Sequence, residues 1–255
     1  MKRILNKIIK SLRQDGLFRT LQKILLKFFT ITKIIHTKKI LNLANIEDRF
    51  LEIYKTNYWD NTESSSGSGS TILYTENLRS KLPELIKKYS IKSILDAPCG
   101  DFNWMQKFLK NNPTIYVGGD IVQPLIDLHI KNYQTDKIRF QRLDITQDKL
   151  PKMDMMICRD CLFHLSYSDT KSFLTNFINS EIPYLLTSTH INDGDLENRD
   201  IISADFKQID LFSSPYNFSK NVLFRIEDWM SPDPRREMCL WNRDQIIEAT
   251  SKFNF

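Results

Sequence analysis

Three apolar runs in the middle of the chain each lead to an aspartate. Ser93–Ala97 carries Asp96, Ile115–Gly119 runs into Asp120, and Ile138–Leu143 runs into Asp144; successive aspartates are 24 residues apart. A period of that length holds one strand, one helix and two short turns, the unit of a parallel sheet with crossover helices. The stretches between read as helices over Trp104–Lys110 and Pro124–Asn132. Further strands are expected at Met153–Cys158 and Tyr184–Thr189, with a helix over Asp169–Ile178 between them. Two late strands, Val222–Ile226 and Met238–Trp241, precede a last helix near Asp244–Lys252. The chain is therefore expected to fold as an α/β sheet with helices on both faces. The three aspartates would line the edge formed by the strands' carboxyl ends, where such sheets bind ligands.

Charge divides the chain differently. Residues 1–45 hold 11 Lys/Arg and one acid, a net +10, while residues 46–255 are net −5. Ile4, Leu5, Ile8, Ile9 and Leu12 fall at helical spacing with lysines and arginines between them. Asp15-Gly16 is expected to break this helix, and the pattern resumes at Leu17, Phe18, Leu21, Ile24, Leu25, Phe28 and Phe29. Lysines interrupt each apolar run well short of the ~20 residues that span a bilayer, and no secretory cleavage pattern follows a short apolar run. Two readings stand: a basic amphipathic helix on an anionic membrane surface, or a surface helix docked on the rest of the chain. With 41% hydrophobic and 26% charged residues, the composition excludes global disorder and fibrous folds. The 4 cysteines are too few for a disulfide scaffold and fit a reduced, cytoplasmic compartment.

The strongest local signal is Ile94-Leu95-Asp96-Ala97-Pro98-Cys99-Gly100-Asp101-Phe102, an apolar strand that ends on an acid and turns tightly into a helix. A carboxylate after the second strand suits paired ribose hydroxyls, and one after the third can accept from an adenine amino group. The run resembles the first motif of class I S-adenosylmethionine-dependent methyltransferases. Asp120 is similar to the acid that holds the ribose there, and Asp144 to the acid that reads adenine. Pro98 and Phe102 stand where the usual motif has its first and third glycines, so only Gly100 remains. The resemblance extends, over roughly residues 47–245, to a bacterial subgroup associated with surface-glycan assembly. It rests on Glu63-Ser64-Ser65-Ser66-Gly67-Ser68-Gly69-Ser70, on Asp96 to Trp104, on Gly118-Gly119-Asp120-Ile121-Val122 and on Cys158-Arg159-Asp160-Cys161-Leu162-Phe163-His164-Leu165.

The resemblance implies a Rossmann-like methyltransferase sheet over residues 91–255. Residues 46–90 become a cap with a Ser/Gly loop, and residues 1–45 a basic helical extension. By composition alone the Ser/Gly stretch reads as a linker; with the resemblance it becomes a cofactor or substrate loop. The implied cofactor is S-adenosylmethionine, contacted by Asp96, Pro98, Gly100, Asp101, Asp120, Ile121, Asp144, Ile145 and Arg159. Trp59, Ser66, Gly67, Ser68, Trp104 and Arg159 would meet the acceptor. A dehydrogenase is the main competitor for the first turn, but its three-glycine fingerprint is absent and Asp144 has no role in it.

Arg159, Asp160 and His164 follow the fourth strand, and His190 ends the fifth. A hydroxyl acceptor must lose a proton, so His164, Asp160 and His190 are the candidate bases. Arg159 could grip an acceptor anion or form a salt bridge to Asp160 or Asp101. Asn192–Phe218 is long enough to be a substrate loop. Cys158 and Cys161 lack a second pair, so buried inert thiols are expected rather than zinc, and no metal is implied. His36 and His129 are expected at the surface. The expected reaction is O-methylation of a sugar or related decoration of a bacterial surface polysaccharide, in the cytoplasm or at the inner membrane face. Alternatives are a small-molecule or nucleic-acid methyltransferase, or a non-catalytic cofactor-binding scaffold. The acidic body and the missing amino-methylation motif argue against nucleic acid.

Overall fold

A computed structural model describes residues 2–253; for residues 2–17 and for Phe29 it describes the backbone alone. The chain divides into two compact units, residues 1–43 and 44–255.

The first unit is one helix, α1 (Lys2–Leu41). It runs through Asp15-Gly16, where the sequence pattern suggested a break, because a single glycine costs only about 1 kcal/mol in a helix interior. The apolar positions at Ile4, Leu5, Ile8, Ile9, Leu12, Leu17 and Phe29 lie outside the described side chains. At about 100° per residue, Phe18, Leu21, Ile24, Leu25, Phe28, Ile31 and Ile35 share one side of α1, and all are exposed. Arg19, Lys23, Lys27 and Lys33 fall on the other side, together with the exposed Leu26 and Ile34. Among the described residues, no helix is long and apolar enough to cross a membrane.

The second unit opens with α2 (Ile46–Lys55) and α3 (Glu76–Lys88). An alternating core follows: β1 (Ser93–Asp96), α4 (Asn103–Asn111), β2 (Ile115–Asp120), α5 (Gln123–Tyr133), β3 (Ile138–Arg142), β4 (Met155–Cys158), α6 (Tyr167–Ser180) and β5 (Tyr184–His190). It closes with β6 (Phe224–Glu227), β7 (Arg236–Asn242) and α7 (Arg243–Ser251). The sheet order is β3-β2-β1-β4-β5-β7-β6. The five strands from β1 to β5 run parallel, and β7 pairs antiparallel with both β5 and β6.

Neighbouring residues on a strand face opposite ways, and the core is split accordingly. Leu95, Met156 and Leu185 pack with Phe173, Leu174 and Phe177 of α6 and Ile246 of α7. Ile94, Met155, Ile157 and Leu186 pack with Leu78, Leu82 and Leu85 of α3, Met105 and Phe108 of α4, and Ile126 of α5. Every residue of β4 is buried, as a central parallel strand covered on both faces requires. This is the α/β sheet that the alternation implied, in the Rossmann-like arrangement that the resemblance implied. The order reverses at β1, which pairs with β2 on one side and β4 on the other, so the crevice for a ligand opens where their carboxyl ends diverge.

Candidate active site

The turn after β1 is held from several directions. Asp96 is buried and accepts the Tyr116 hydroxyl at 2.8 Å. Gly100 is left-handed (φ 52°), and a side chain there would collide with the Ser66 hydroxyl. Its N–H donates to Asp120 Oδ2 at 3.1 Å, while Val122 N–H donates to Asp120 Oδ1 at 3.0 Å. Asp101 N–H donates to Ser66 Oγ at 2.9 Å. Phe102, in the place of the motif's third glycine, is also left-handed (φ 62°). Its ring turns away from the turn into a cluster with Tyr116, Tyr133 and Phe140 at centroid distances of 5.3, 5.4 and 4.9 Å. The expectation that His129 lies at the surface is overturned: the fold packs it into this same cluster, 1% exposed.

The third aspartate sits at the same edge. Asp144 Oδ1 accepts from Thr146 N–H and hydroxyl at 2.9 and 2.7 Å, and Oδ2 from the Gln147 amide at 3.0 Å. Burial pushes Asp96 up to about 7 despite the Tyr116 bond, and pushes Asp120 up to about 6 despite its backbone donors. Ile121 is half-buried and Ile145 buried beside the two acids they follow.

The Ser/Gly stretch is tied down rather than free. Glu63 Oε1 accepts from Ile72 N–H at 2.7 Å and from the Asn103 amide at 2.8 Å. Gly67 (φ 91°) lies against Trp59, and Ser68 is exposed. Gly69 lies against Arg236 and Asp160, with its carbonyl accepting from Arg159 Nη2 at 2.7 Å.

Arg159 belongs to a buried four-charge cluster. Its Nε and Nη2 donate to the two oxygens of Asp228 at 2.8 and 3.0 Å, and its Nη1 lies 3.3 Å from Asp160 Oδ2. Arg236 Nη2 donates to Asp160 Oδ2 at 2.8 Å and Nη1 to the Tyr74 hydroxyl at 2.8 Å. Trp104 is buried with its ring 5.7 Å from the Arg159 guanidinium. Desolvation works to raise the Asp160 carboxyl, but the two guanidiniums outweigh it and hold the group below its ordinary value. Burial works to lower Arg159, and the Asp160 and Asp228 charges overcome that too, holding it further protonated. Sequence reasoning found Arg159 and Asp160 and missed Tyr74, Asp228 and Arg236. The last two come from β6–β7, more than 60 residues downstream, with no local motif to mark them.

Two histidines lie nearby with opposite tautomers, assigned from their partners. His164 Nδ1 faces the Asp205 carbonyl at 2.8 Å and must carry the proton, leaving the Nε2 lone pair free of that bond. His190 Nδ1 accepts Ile209 N–H at 3.1 Å, so its proton is on Nε2. Burial lowers both, His190 to about 4 with Arg236 adding to the effect. The Trp59, Phe163 and Phe206 rings surround His164 at 5.8, 4.8 and 5.9 Å. All four cysteines are free and buried, and burial raises the Cys158 thiol well above its ordinary value.

No family model matches the sequence, and no curated protein matches it by sequence. Solved structures match by fold. A methyltransferase from Leishmania major described as S-adenosylmethionine-dependent superposes with TM-score 0.57 at 14% identity, over 78% of this chain and 87% of that one. The Burkholderia thailandensis 1,6-didemethyltoxoflavin-N1-methyltransferase, with its substrate and S-adenosylhomocysteine bound, gives 0.54 at 13% identity over 78% and 91%. The Synechocystis magnesium protoporphyrin IX methyltransferase with bound S-adenosylmethionine gives 0.53 at 10% identity over 78% and 98%. The sheet is thus that of the Rossmann-like methyltransferases.

The buried acid at the end of β1 has a measurable signature. A carboxyl raised from 3.8 to about 7 binds its proton more tightly in the folded chain than in the unfolded one. Its contribution to stability is therefore full below about pH 4 and is lost as pH rises towards 7. In chemical denaturation of the ligand-free protein, wild type relative to Asp96→Asn is expected to lose stability between about pH 4 and pH 7, the window set by those two values. A constant difference would show that Asp96 is ionised throughout.

Proposed function

We propose that the protein is an S-adenosylmethionine-dependent methyltransferase that methylates a hydroxyl of a neutral acceptor, a sugar of a bacterial surface glycan. The observation that carries the enzyme class is the turn after β1, in which the Gly100 N–H meets Asp120 at the switch point of a methyltransferase sheet. The site fits the cofactor on chemical grounds. The Gly100 position has no room for a side chain, and three carboxylates end three adjacent strands. Asp120 would take the ribose hydroxyls and Asp144 the adenine amino group, with Ile121 and Ile145 against the ring. Asp96, Pro98, Gly100 and Asp101 would hold the amino-acid end. When bound, S-adenosylmethionine supplies an electrophilic methyl on a sulfonium.

The chain's own residues then align the acceptor and remove its proton. His164 is the best-suited base: it is neutral, and its Nδ1–H bond to Asp205 presents Nε2 as the acceptor nitrogen. His190 carries its proton on Nε2 and can donate a hydrogen bond to the acceptor. Asp160, clamped by Arg159 and Arg236, is a poor base and instead helps hold Arg159, which donates to the Gly69 carbonyl. Because Asp160 and Asp228 already neutralise both guanidiniums, a neutral acceptor fits better than a phosphate or carboxylate. Trp59 and the Ser66–Ser68 loop would flank it, an aromatic face with hydroxyls that suits a sugar ring. The glycan assignment is supported by the sequence resemblance. α1, which carries exposed apolar residues among its lysines and arginines, would hold the enzyme on an anionic membrane face where lipid-linked glycans are built.

Asp120→Asn is expected to leave the fold intact and weaken S-adenosylmethionine binding at least about tenfold by calorimetry, as loss of charge-assisted hydrogen bonds implies. Wild-type affinity itself should fall as pH drops below about 6, where Asp120 becomes protonated. Undiminished affinity in the variant would remove Asp120 from the cofactor site.

With an acceptor in hand, His164→Ala is expected to lower kcat by about 10²–10⁴ while cofactor affinity holds. Asp160→Asn should instead raise the acceptor KM by disturbing the loop. Full turnover in His164→Ala would leave alignment as the main source of catalysis.

Full-length protein is expected to sediment with liposomes containing anionic lipid and to leave neutral ones alone at low salt, at ~1 kcal/mol per basic residue near the surface. Protein lacking residues 1–43 should bind neither. Equal behaviour of the two forms would exclude α1 as a membrane anchor.

A further inference from the structure

The peptide group between Gly100 and Asp101 is gripped at both ends. Its N–H donates to Ser66 Oγ at 2.9 Å. Its carbonyl faces His129 Nε2, on α5, at 2.7 Å. The preceding peptide is held by the Gly100 N–H bond to Asp120. Gly100 and Phe102 are both left-handed, so this is a turn whose peptide planes need outside support to stay in one orientation.

His129 is an odd residue for its surroundings. Its ring lies 5.0 Å from Phe140, 5.9 Å from Tyr133 and 6.0 Å from Phe102. Because Nε2 must donate to the carbonyl, Nδ1 is left as an acceptor, and it is buried with no hydrogen-bond partner. A buried, unsatisfied acceptor is destabilising, and a phenyl ring would fill an aromatic cluster without that cost. Retaining an imidazole here therefore serves the one bond it makes.

We infer that His129 is a positioning residue for the cofactor turn, its Nε2–H fixing the Gly100–Asp101 peptide so that Gly100 N–H and Asp120 stay aligned for the ligand. The inference rests on reading this turn as the S-adenosylmethionine site. A merely structural histidine and a positioning one differ in what their loss moves. Substituting the first lowers stability, whereas substituting the second lowers ligand affinity in a chain of similar stability.

The experiment compares wild type, His129→Phe and His129→Gln by thermal unfolding and by calorimetric titration with S-adenosylmethionine. Phe keeps the ring without the donor; Gln keeps an N–H donor at similar reach. His129→Phe removes the unpartnered Nδ1 but leaves the Gly100 carbonyl without its donor, so it is expected to unfold close to the wild-type temperature and to bind roughly three- to tenfold more weakly, the effect of one lost hydrogen bond. His129→Gln should bind within about twofold of wild type. If His129→Phe does not fold, His129→Met serves as the donor-free variant. A folded donor-free variant with wild-type affinity overturns the inference, as does a Gln variant that binds as weakly as the donor-free one. Wild-type protein that binds no S-adenosylmethionine overturns the cofactor reading first, and this inference with it.

Discussion

A buried carboxylate at the end of β2 governs the geometry of the site. Asp120 is shielded from water and must find its donors in the protein. It finds them in two backbone N–H groups, one from its own following turn at Val122 and one from Gly100 across the crevice. That second bond couples the end of β2 to the turn after β1. It demands that Gly100 be left-handed, and it brings the turn against Ser66 so closely that only glycine fits. The Ser/Gly loop, the aromatic cluster under Phe102 and the orientation of α4 all follow from where that turn sits.

A second buried assembly lies at the end of β4. Arg159, Asp160, Asp228 and Arg236 balance each other, so no net charge is taken out of water. Buried ion pairs of this kind contribute little net stability, but loss of one member leaves an uncompensated charge that costs about 3–5 kcal/mol. The role consistent with that asymmetry is to specify geometry. The cluster joins the end of β4, the antiparallel strands β6 and β7, and the Gly69 carbonyl. It thereby holds the loop over the edge where His164 and His190 lie. Burial lowers both histidines, with the Arg236 charge adding to the effect at His190.

The alternation of strands and helices was legible because it depends on local pattern. Short apolar runs, most of them followed by a helical stretch, admit few arrangements other than a parallel sheet. The helix α1 was misread at Asp15-Gly16, since a single glycine weakens a helix without ending it. His129 was misplaced at the surface because its neighbours His-Ile-Lys-Asn in α5 carry no sign of which face turns inward. Phe102 stands where the usual motif has its third glycine. A left-handed backbone at that residue, which no sequence rule would assign to phenylalanine, swings the ring out of the way.

The sequence by itself determined the fold class, the edge on which Asp96, Asp120 and Asp144 gather, and the position of the Gly100 turn. These follow from periodicity and from the rule that carboxyl ends of parallel strands share one edge. Only the tertiary structure decided which groups face each other there. It paired Arg159 with Asp228 and Asp160 with Arg236, gave His164 and His190 opposite tautomers, and set His129 against the turn after β1. Each of those contacts joins residues 19 to 76 positions apart. Their identity depends on how layers pack, and packing is a property of the whole chain that no local stretch of sequence encodes.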